Sequence, residues 1–351
     1  MRIELTHPAW KAGVLPLNYA RTRTDYITIV LTWQAEMIKY DMVKICDAVF
    51  EGGGMRGIGF VGAVRKFEEA GYRFRNVAGS SAGAIVASLI AAGYTAEEMH
   101  REMASVQFDK FKHSAYWGGL GPFGAALGAA KNFGLYSAKL FESWLGDLLA
   151  RKGVYTFNDV GGRLKLTASD ITDQKGLLLP NDLKKFGIDP GGFSVATAVR
   201  MSMGIPVFYE PYELVDTEGA VHYIVDGGML SNYPIWILDD GTKWLDVPVF
   251  GFRFTRHPGH RRTKKPSLIT YVKQIVTTIV EAHDDEFQAV VRGDLQRTIY
   301  IDTLVDGAKI GITDFNMKPE TIQGMYENGV RAGTEFLKTW DFKKWNKDYR
   351  Y

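Results

Sequence analysis

One cysteine, Cys46, in 351 residues leaves no partner for an internal disulfide and no ligand set for a cysteine-rich zinc site. That usage fits a reducing compartment, and a cytoplasmic location is the expectation drawn from it. Net charge is equally scarce. The 42 Lys and Arg nearly cancel the 40 Asp and Glu, so no global field points to nucleic acid or to a strongly acidic partner. No apolar run reaches the roughly 18 to 20 residues that a membrane span needs. The early run YITIVLTW lacks the long h-region and small-residue cleavage site of a signal peptide, so a soluble protein is expected. Internal repeats, low-complexity tracts and Pro- or Ser-rich linkers are also missing, which favours one large domain over two. What the chain does have is 46% apolar residues, enough for a sizeable core, and 38 glycines.

The first forty residues, with HPAW and VLPL, show no clear amphipathic period, and residues 1–41 are predicted to be an N-terminal extension. From KICDAVF onward the pattern becomes strand, glycine loop, helix. Ile45, Ala48, Val49 and Phe50 suit a buried strand, EGGGMRG a turn, and Val61, Val64, Phe67 and Ala70 a helix that stops at Gly71. A second unit follows, with FRNVAG as strand, SSAG as turn and Ala82 to Ala92 as helix; Thr95 and Glu98 form a capping box for the next helix. Alternating βα units imply an α/β fold with a mostly parallel sheet. RLKLTASDI, HYIVDGGM and VPVFGFRF read as further strands, and 268–292 and 320–340 as long helices. The main domain is predicted over 42–340, with a basic, aromatic tail over 341–351.

Two glycine motifs carry the chemistry. GGGMRG, Gly52 to Gly57, satisfies G-x-G-x-x-G between a strand and a helix, the pattern of a dinucleotide loop. That fingerprint also wants an acidic residue about twenty positions on to hold a ribose, and Val77 and Ala78 stand there instead. Nor does Gly-Lys-Ser/Thr close the turn as in a P-loop. GSSAG, Gly79 to Gly83, fits a nucleophile elbow, because a strand precedes it, a helix follows it, and glycines let so tight a turn form. The plainer alternative is a βα turn with Ser81 capping the helix.

A serine nucleophile needs a base. Seven histidines are scattered, at 7, 100, 113, 222, 257, 260 and 283; His283 lies in a strongly helical run and His257 and His260 in a basic loop, contexts of surface or core rather than of catalysis. Asp226 is the better candidate, since YIV reads as a buried strand ending in DGG at what would be a C-terminal edge, where open α/β sheets collect active groups. Asp306, in DGA, competes with it, but follows the charged and broken stretch IDTLV. SDITDQKG, around Asp170 and Asp173, fails the spacing of a calcium-binding EF-hand loop and reads as a strand-end turn.

The ordered set GGGMRG, GSSAG and DGG resembles the patatin-like phospholipases, as do the blocks AVRMSMGIPVFYEPY from Ala198 and DGGMLSNYPIWIL from Asp226. The resemblance covers roughly Lys44 to Trp340. It implies a three-layer α/β/α fold and a Ser-Asp dyad without histidine, which would be Ser81 and Asp226. It also implies an oxyanion loop containing Gly53, Gly54, Met55 and Arg56, with Gly52 and Gly57 completing the motif, Gly79 and Gly83 flanking the elbow serine, and Gly227 and Gly228 following the aspartate. The implied substrate is a fatty-acyl ester of a glycerolipid or phospholipid, with no cofactor and no metal. Two other readings stay open: a Ser-His-Asp hydrolase, which requires a histidine to meet Ser81, and a noncatalytic nucleotide-binding module. The glycine and aromatic segment 117–133 is a candidate lid or acyl-chain wall. RHPGHRRTKK places five Lys or Arg between Arg256 and Lys265, and KTWDFKKWNKDYRY interleaves cations with Trp, Phe and Tyr, a combination that suits peripheral contact with an anionic lipid surface.

Overall fold

The computed structural model describes residues 43–106, 132–239, 241, 244–257, 271, 274–279 and 293–350. The chain divides into two compact units, Met1–Lys44 and Ile45–Tyr351. The expected extension, most of the 117–133 segment, most of the 256–265 basic run and most of the 268–292 helix lie outside the described residues.

Both predicted βα units form. β1 (Lys44–Phe50) leads through a 3-10 turn at Gly54–Gly57 into α1 (Ile58–Glu69), and β2 (Tyr72–Gly79) leads into α2 (Ala82–Ala91). α3 (Ala96–Ser105) opens with the Thr95–Glu98 capping box, in which Thr95 accepts from Glu98 N–H and the Glu98 side chain returns to Thr95. The short β3 (Gly134–Tyr136), α4 (Lys139–Ala150), β4 (Leu164–Asp170), β5 (Lys175–Leu179) and α5 (Val195–Met203) follow. Then come β6 (Val207–Tyr209), β7 (Tyr212–Val215), β8 (Val221–Asp226), β9 (Val249–Phe254) and β10 (Thr298–Ile301). The hairpin β11 (Leu304–Val305) and β12 (Ala308–Lys309) precedes α6 (Pro319–Thr339) and α7 (Phe342–Tyr349).

The central sheet has the order β10-β9-β1-β2-β4-β8-β7, with β5 also paired to β4. Pairing is parallel for β10–β9, β9–β1 and β2–β4, then antiparallel from β4 to β8 and from β8 to β7. Alternation along β1 and β9 divides the core. Ala48, Phe50, Phe250, Phe252 and Phe254 join the main cluster with Phe60 and Phe67 of α1, where Phe50 stacks on Phe252 with centroids 4.7 Å apart and Phe67 meets Phe336 of α6 at 6.0 Å. Val49 and Val249 face the other way, against Ala78 and Ile235. A strand buried on both faces, as β9 is throughout, is what a sheet covered on both sides requires.

The basic, aromatic C-terminal stretch forms α7 within the larger unit. Trp345 is buried, its Nε1–H donates to Gly293 O at 2.9 Å, and the Arg297 and Arg350 guanidiniums lie 5.1 and 4.7 Å from its ring centroid. Arg350 also reaches Asp239 at 2.5 Å. Cations and aromatics interleave here partly to pack against each other. No helix among the described residues is long and apolar enough to cross a membrane.

Candidate active site

Ser81 sits where β2 ends and α2 begins, with φ 52° and ψ −119°, a region that residues with a Cβ seldom enter. Its neighbours make the turn possible. A Cβ on Gly79 would come within 2.3 Å of Gly83 O, and one on Gly83 within 2.2 Å of Phe50 O, so strand end, turn and β1 approach this closely only with glycine. Ser81 N–H donates to Ser202 Oγ of α5 at 3.0 Å, and Ser202 is fully buried. The N-terminus of α2 adds positive potential at Ser81.

Asp226 reaches the same place from the opposite direction. β2 runs parallel to β4 with Gly79 facing Leu166, and β8 runs antiparallel to β4 with Asp226 facing Ala168. Extending the β2 register past Gly79 sets Ser81 level with Ala168, and so with Asp226. Asp226 is the last residue of β8, the strand end expected for it, and β8 runs antiparallel to β4. Ser81 Oγ donates to Asp226 Oδ2 at 2.7 Å, and Gly228 N–H donates to Oδ1 at 2.7 Å. Asp226 N–H donates to Gly204 O at 3.0 Å. Both side chains are nearly closed to solvent, 5% exposed for Ser81 and 1% for Asp226. Burial pushes the Asp226 carboxyl up to about 6, against the pull of the hydrogen bonds from Ser81 and Gly228. Such a carboxylate is a stronger base than an exposed one. Gly227 must be small, since a Cβ there would lie 2.4 Å from Thr167 O.

The glycine loop follows β1. Gly52 N–H donates to Asn232 O at 2.9 Å, Met55 N–H to Ile312 O at 3.1 Å, and Arg56 N–H to Gly53 O at 3.3 Å. Among the described residues the N–H groups of Gly53, Gly54 and Ala82 have no such acceptor. Of the four residues expected in an oxyanion loop, then, Gly53 and Gly54 keep their amides uncommitted, whereas those of Met55 and Arg56 are engaged within the fold. Arg56 is buried, donates from Nε to Gly53 O at 3.0 Å and lies 5.0 Å from the Phe254 ring centroid, so it braces the loop. Gly54 has φ 56° and packs on Ile312. Gly57 packs on Ala82 at the start of α2. Beneath the loop, buried Glu51 accepts from Phe254 N–H at 2.7 Å, Arg253 Nη2 at 3.2 Å and Asn232 Nδ2 at 3.3 Å, linking β1, β9 and the segment after Asp226.

Ser81 and Gly54 line a cavity of about 60 Å³ whose other walls are Met55, Gly57, Ile58, Ala82, Ile85, Met103, Phe141, Met203, Ile205, Tyr209, Phe315, Met317 and Ile322. Apart from Ser81 and Tyr209 the wall presents no polar side chain to a pyrophosphate or a ribose, which weighs against the nucleotide reading of GGGMRG.

The competing candidates have other work. Asp306 and Gly307 form the corner of the β11–β12 hairpin, with φ values of 49° and 76°. His100 stacks on Tyr326 at 4.0 Å, and His257 Nε2 bonds to Asp302 at 2.7 Å. His222 lies between Asp170 at 2.8 Å and Asp216 at 3.5 Å. Burial opposes charge on His222, but the two carboxylates outweigh it and raise its pKa. His7, His113, His260 and His283 lie outside the described residues. Asp170, Asp173 and His222 bring possible ligand atoms within 4.8 Å of one another. Asp170 Oδ1, however, takes the N–H groups of Thr172 and Asp173, the strand-end turn expected there.

Sequence reasoning missed Ser202, Gly204 and Ala82. Ser202 and Gly204 lie inside the block AVRMSMGIPVFYEPY, whose resemblance was visible but not its role; the Ala82 contribution is a backbone amide, which residue identity does not reveal.

A buried serine–carboxylate pair at an elbow, beside a glycine loop and an apolar cavity on a mostly parallel sheet, defines a class of α/β hydrolase. Residues 48–239 match the family described as patatin-like phospholipase. The chain is 37% identical over 309 residues to the uncharacterized protein YqhO of Bacillus subtilis, covering 84% of this chain and 99% of that one. It is 26% identical over 221 residues to the cUMP-AMP-activated phospholipase of Escherichia coli, covering 60% of this chain and 63% of that one. The crystal structure of VipD from Legionella pneumophila shares the fold, with a TM-score of 0.50 and 17% identity over 84% of this chain and 67% of that one. The chain belongs to the patatin-like phospholipase family, and with it to the lipid hydrolases.

Proposed function

We propose that the protein hydrolyses fatty-acyl esters of glycerolipids or phospholipids through a Ser81–Asp226 dyad and an acyl-enzyme. The observation that carries this reading is the 2.7 Å hydrogen bond from Ser81 Oγ to a buried carboxylate, at the wall of an apolar cavity. Ser81 Oγ attacks the ester carbonyl carbon while its proton passes to Asp226 Oδ2. The new oxyanion is held by the uncommitted amides of Gly53, Gly54 and Ala82, each worth about 3 kcal/mol in the transition state. Collapse breaks the bond to the glycerol oxygen, which takes the proton back from Asp226. Water then attacks the acyl-serine, gives a proton to Asp226, and the free fatty acid leaves as Ser81 is reprotonated. The raised carboxyl pKa brings base strength closer to neutral pH, as a general base requires. This chemistry uses no cofactor.

The reading includes a cytoplasmic enzyme working at a lipid surface. The run RHPGHRRTKK supplies five Lys or Arg between 256 and 265, and each basic residue near an anionic surface contributes on the order of 1 kcal/mol. Charge reversal at Arg261, Arg262, Lys264 and Lys265 should weaken sedimentation with anionic vesicles; unchanged sedimentation would remove this run from the proposal.

The test of the hydrolase reading is covalent labelling by a fluorophosphonate together with fatty-acid release from a panel of phospholipid, lysophospholipid and neutral glyceride. Wild-type protein should be labelled and release acid from at least one class. Labelling and release that survive in Ser81→Ala would overturn the assignment.

A further inference from the structure

Both members of the pair are tethered to one short stretch of chain that is neither strand nor loop motif. Ser202, in the last turn of α5, accepts Ser81 N–H at 3.0 Å, and Gly204, two residues on, accepts Asp226 N–H at 3.0 Å. Between and beyond them, Met203 and Ile205 line the cavity. Consecutive residues thus alternate between holding the reacting groups and forming the wall.

The local geometry makes this stretch a single stiff unit. Gly204 has φ −73° and ψ 72°, and Ile205 N–H donates to Met203 O at 2.9 Å, which is an inverse γ-turn centred on Gly204. Ile205 O in turn accepts Phe208 N–H at 3.1 Å and Tyr209 N–H at 2.9 Å. Ser202 is fully buried, and Met203 and Ile205 are 9% exposed. A three-residue hydrogen-bonded turn has little freedom to let its side chains move without its carbonyl and the preceding residue moving too.

Ser81 needs such a hold. Its φ and ψ lie in a sparsely populated region, which persists only where surrounding structure over-determines it. The Ser202 hydrogen bond also commits the Ser81 amide, leaving the uncommitted amides of Gly53, Gly54 and Ala82 as the donors that the hydrolase reading assigns to the oxyanion.

We propose that the Ser202–Ile205 turn is a positioning element that sets the separation of Ser81 and Asp226 and couples it to acyl-chain occupancy of the cavity. A chain long enough to press on Met203 and Ile205 presses on the unit that holds both reacting groups, so chain length acts on kcat and not only on KM. Ser202 is the positioning residue for the nucleophile, and Met203 the residue through which the chain is sensed. The proposal rests on the hydrolase reading above.

The experiment measures kcat and KM for p-nitrophenyl butyrate, octanoate and palmitate with full-length wild type, Ser202→Ala, Ser202→Cys, Met203→Ala and Ser81→Ala. In wild type, kcat should rise with chain length. Ser202→Ala should lower kcat on the longest productive ester by on the order of 10- to 100-fold with KM little changed, and flatten its dependence on length. Ser202→Cys, which keeps a weak acceptor, should recover part of the loss. Met203→Ala touches neither tether and should lower the ratio of kcat on palmitate to kcat on butyrate. Circular dichroism and thermal melts check that each variant is folded; should Ser202→Ala not fold, Met203→Ala and Ser202→Cys carry the test. A wild-type kcat independent of chain length would overturn the proposal, as would Met203→Ala changing KM alone. Activity retained by Ser81→Ala would instead overturn the hydrolase reading, a result distinct from either.

Discussion

Asp226-Gly227-Gly228 and Asp306-Gly307-Ala308 are nearly the same tripeptide put to opposite ends. The first closes a buried strand, is 1% exposed, and receives hydrogen bonds from Ser81 Oγ and Gly228 N–H. The second is the exposed corner of a two-residue hairpin, where φ values of 49° and 76° are what a type I′ turn demands and what Asp-Gly supplies. Asp-Gly by itself encodes a turn. It becomes a candidate base when strand register sets it opposite a serine and burial withholds water from its charge.

The hardest break removes the partner that Asp226 has and Asp306 lacks. Ser81→Ala should lower ester hydrolysis on the order of 10⁶-fold, measured by fatty-acid release. Next comes the aspartate pair. Asp226→Asn should reduce kcat about 10³- to 10⁴-fold, whereas Asp306→Asn should stay within about twofold, because Asn suits the same turn. Equal losses in both variants would collapse the distinction. A pH profile sharpens it further. The base must be ionised to accept the Ser81 proton, so kcat/KM should fall about tenfold per unit as pH drops below about 6, and Asp306→Asn should keep that profile.

Stability should separate the two sites again. The folded-state pKa of Asp226 lies near 6, above its ordinary 3.8. Its neutral form therefore suits the fold below about pH 4, and that advantage is lost as pH rises through 6. Asp226→Asn carries no charge at any pH. It should therefore be more stable than wild type at pH 8 by about 1–3 kcal/mol, and the difference should shrink toward pH 4, in denaturant titrations at both pH values. The smallest effect belongs to Asp306→Ala, which should cost about 1 kcal/mol for a left-handed alanine and leave activity alone.

Much of this was legible because it is local. Strand, turn and helix at Ser81 follow one another within twenty residues, the Thr95–Glu98 box states its own geometry, and the periodicity of β1 and β9 shows in their alternating residues. What distance and direction decide was not legible. HYIVDGG places the aspartate at the end of its strand, but nothing in it says that β8 runs antiparallel to β4 or which strand it faces. Ser202 meets Ser81 across 121 positions, and hydroxyls of this kind are common in helices that do nothing similar. Met55 sits in the glycine motif, yet its amide is committed to Ile312, far along the chain. Alternating cations and aromatics in the tail suit a lipid surface and guanidinium–indole packing alike, and nothing in the local sequence sets Trp345 beside Arg297 and Arg350.

The contacts around the elbow glycines also set which mutational routes are open to a descendant of this protein. A side chain at Gly79 or Gly83 meets a backbone carbonyl, and no substitution elsewhere can trim a carbonyl away, so those codons are closed however the background drifts. The cavity wall is the reverse. Met55, Met103, Met203 and Met317 are unbranched and adaptable, and exchanges of similar volume among apolar residues usually cost less than about 1.5 kcal/mol. New acyl preferences are therefore reached through the wall with the elbow untouched, and a combinatorial library seeking them should vary the methionines while fixing every glycine from 52 to 57.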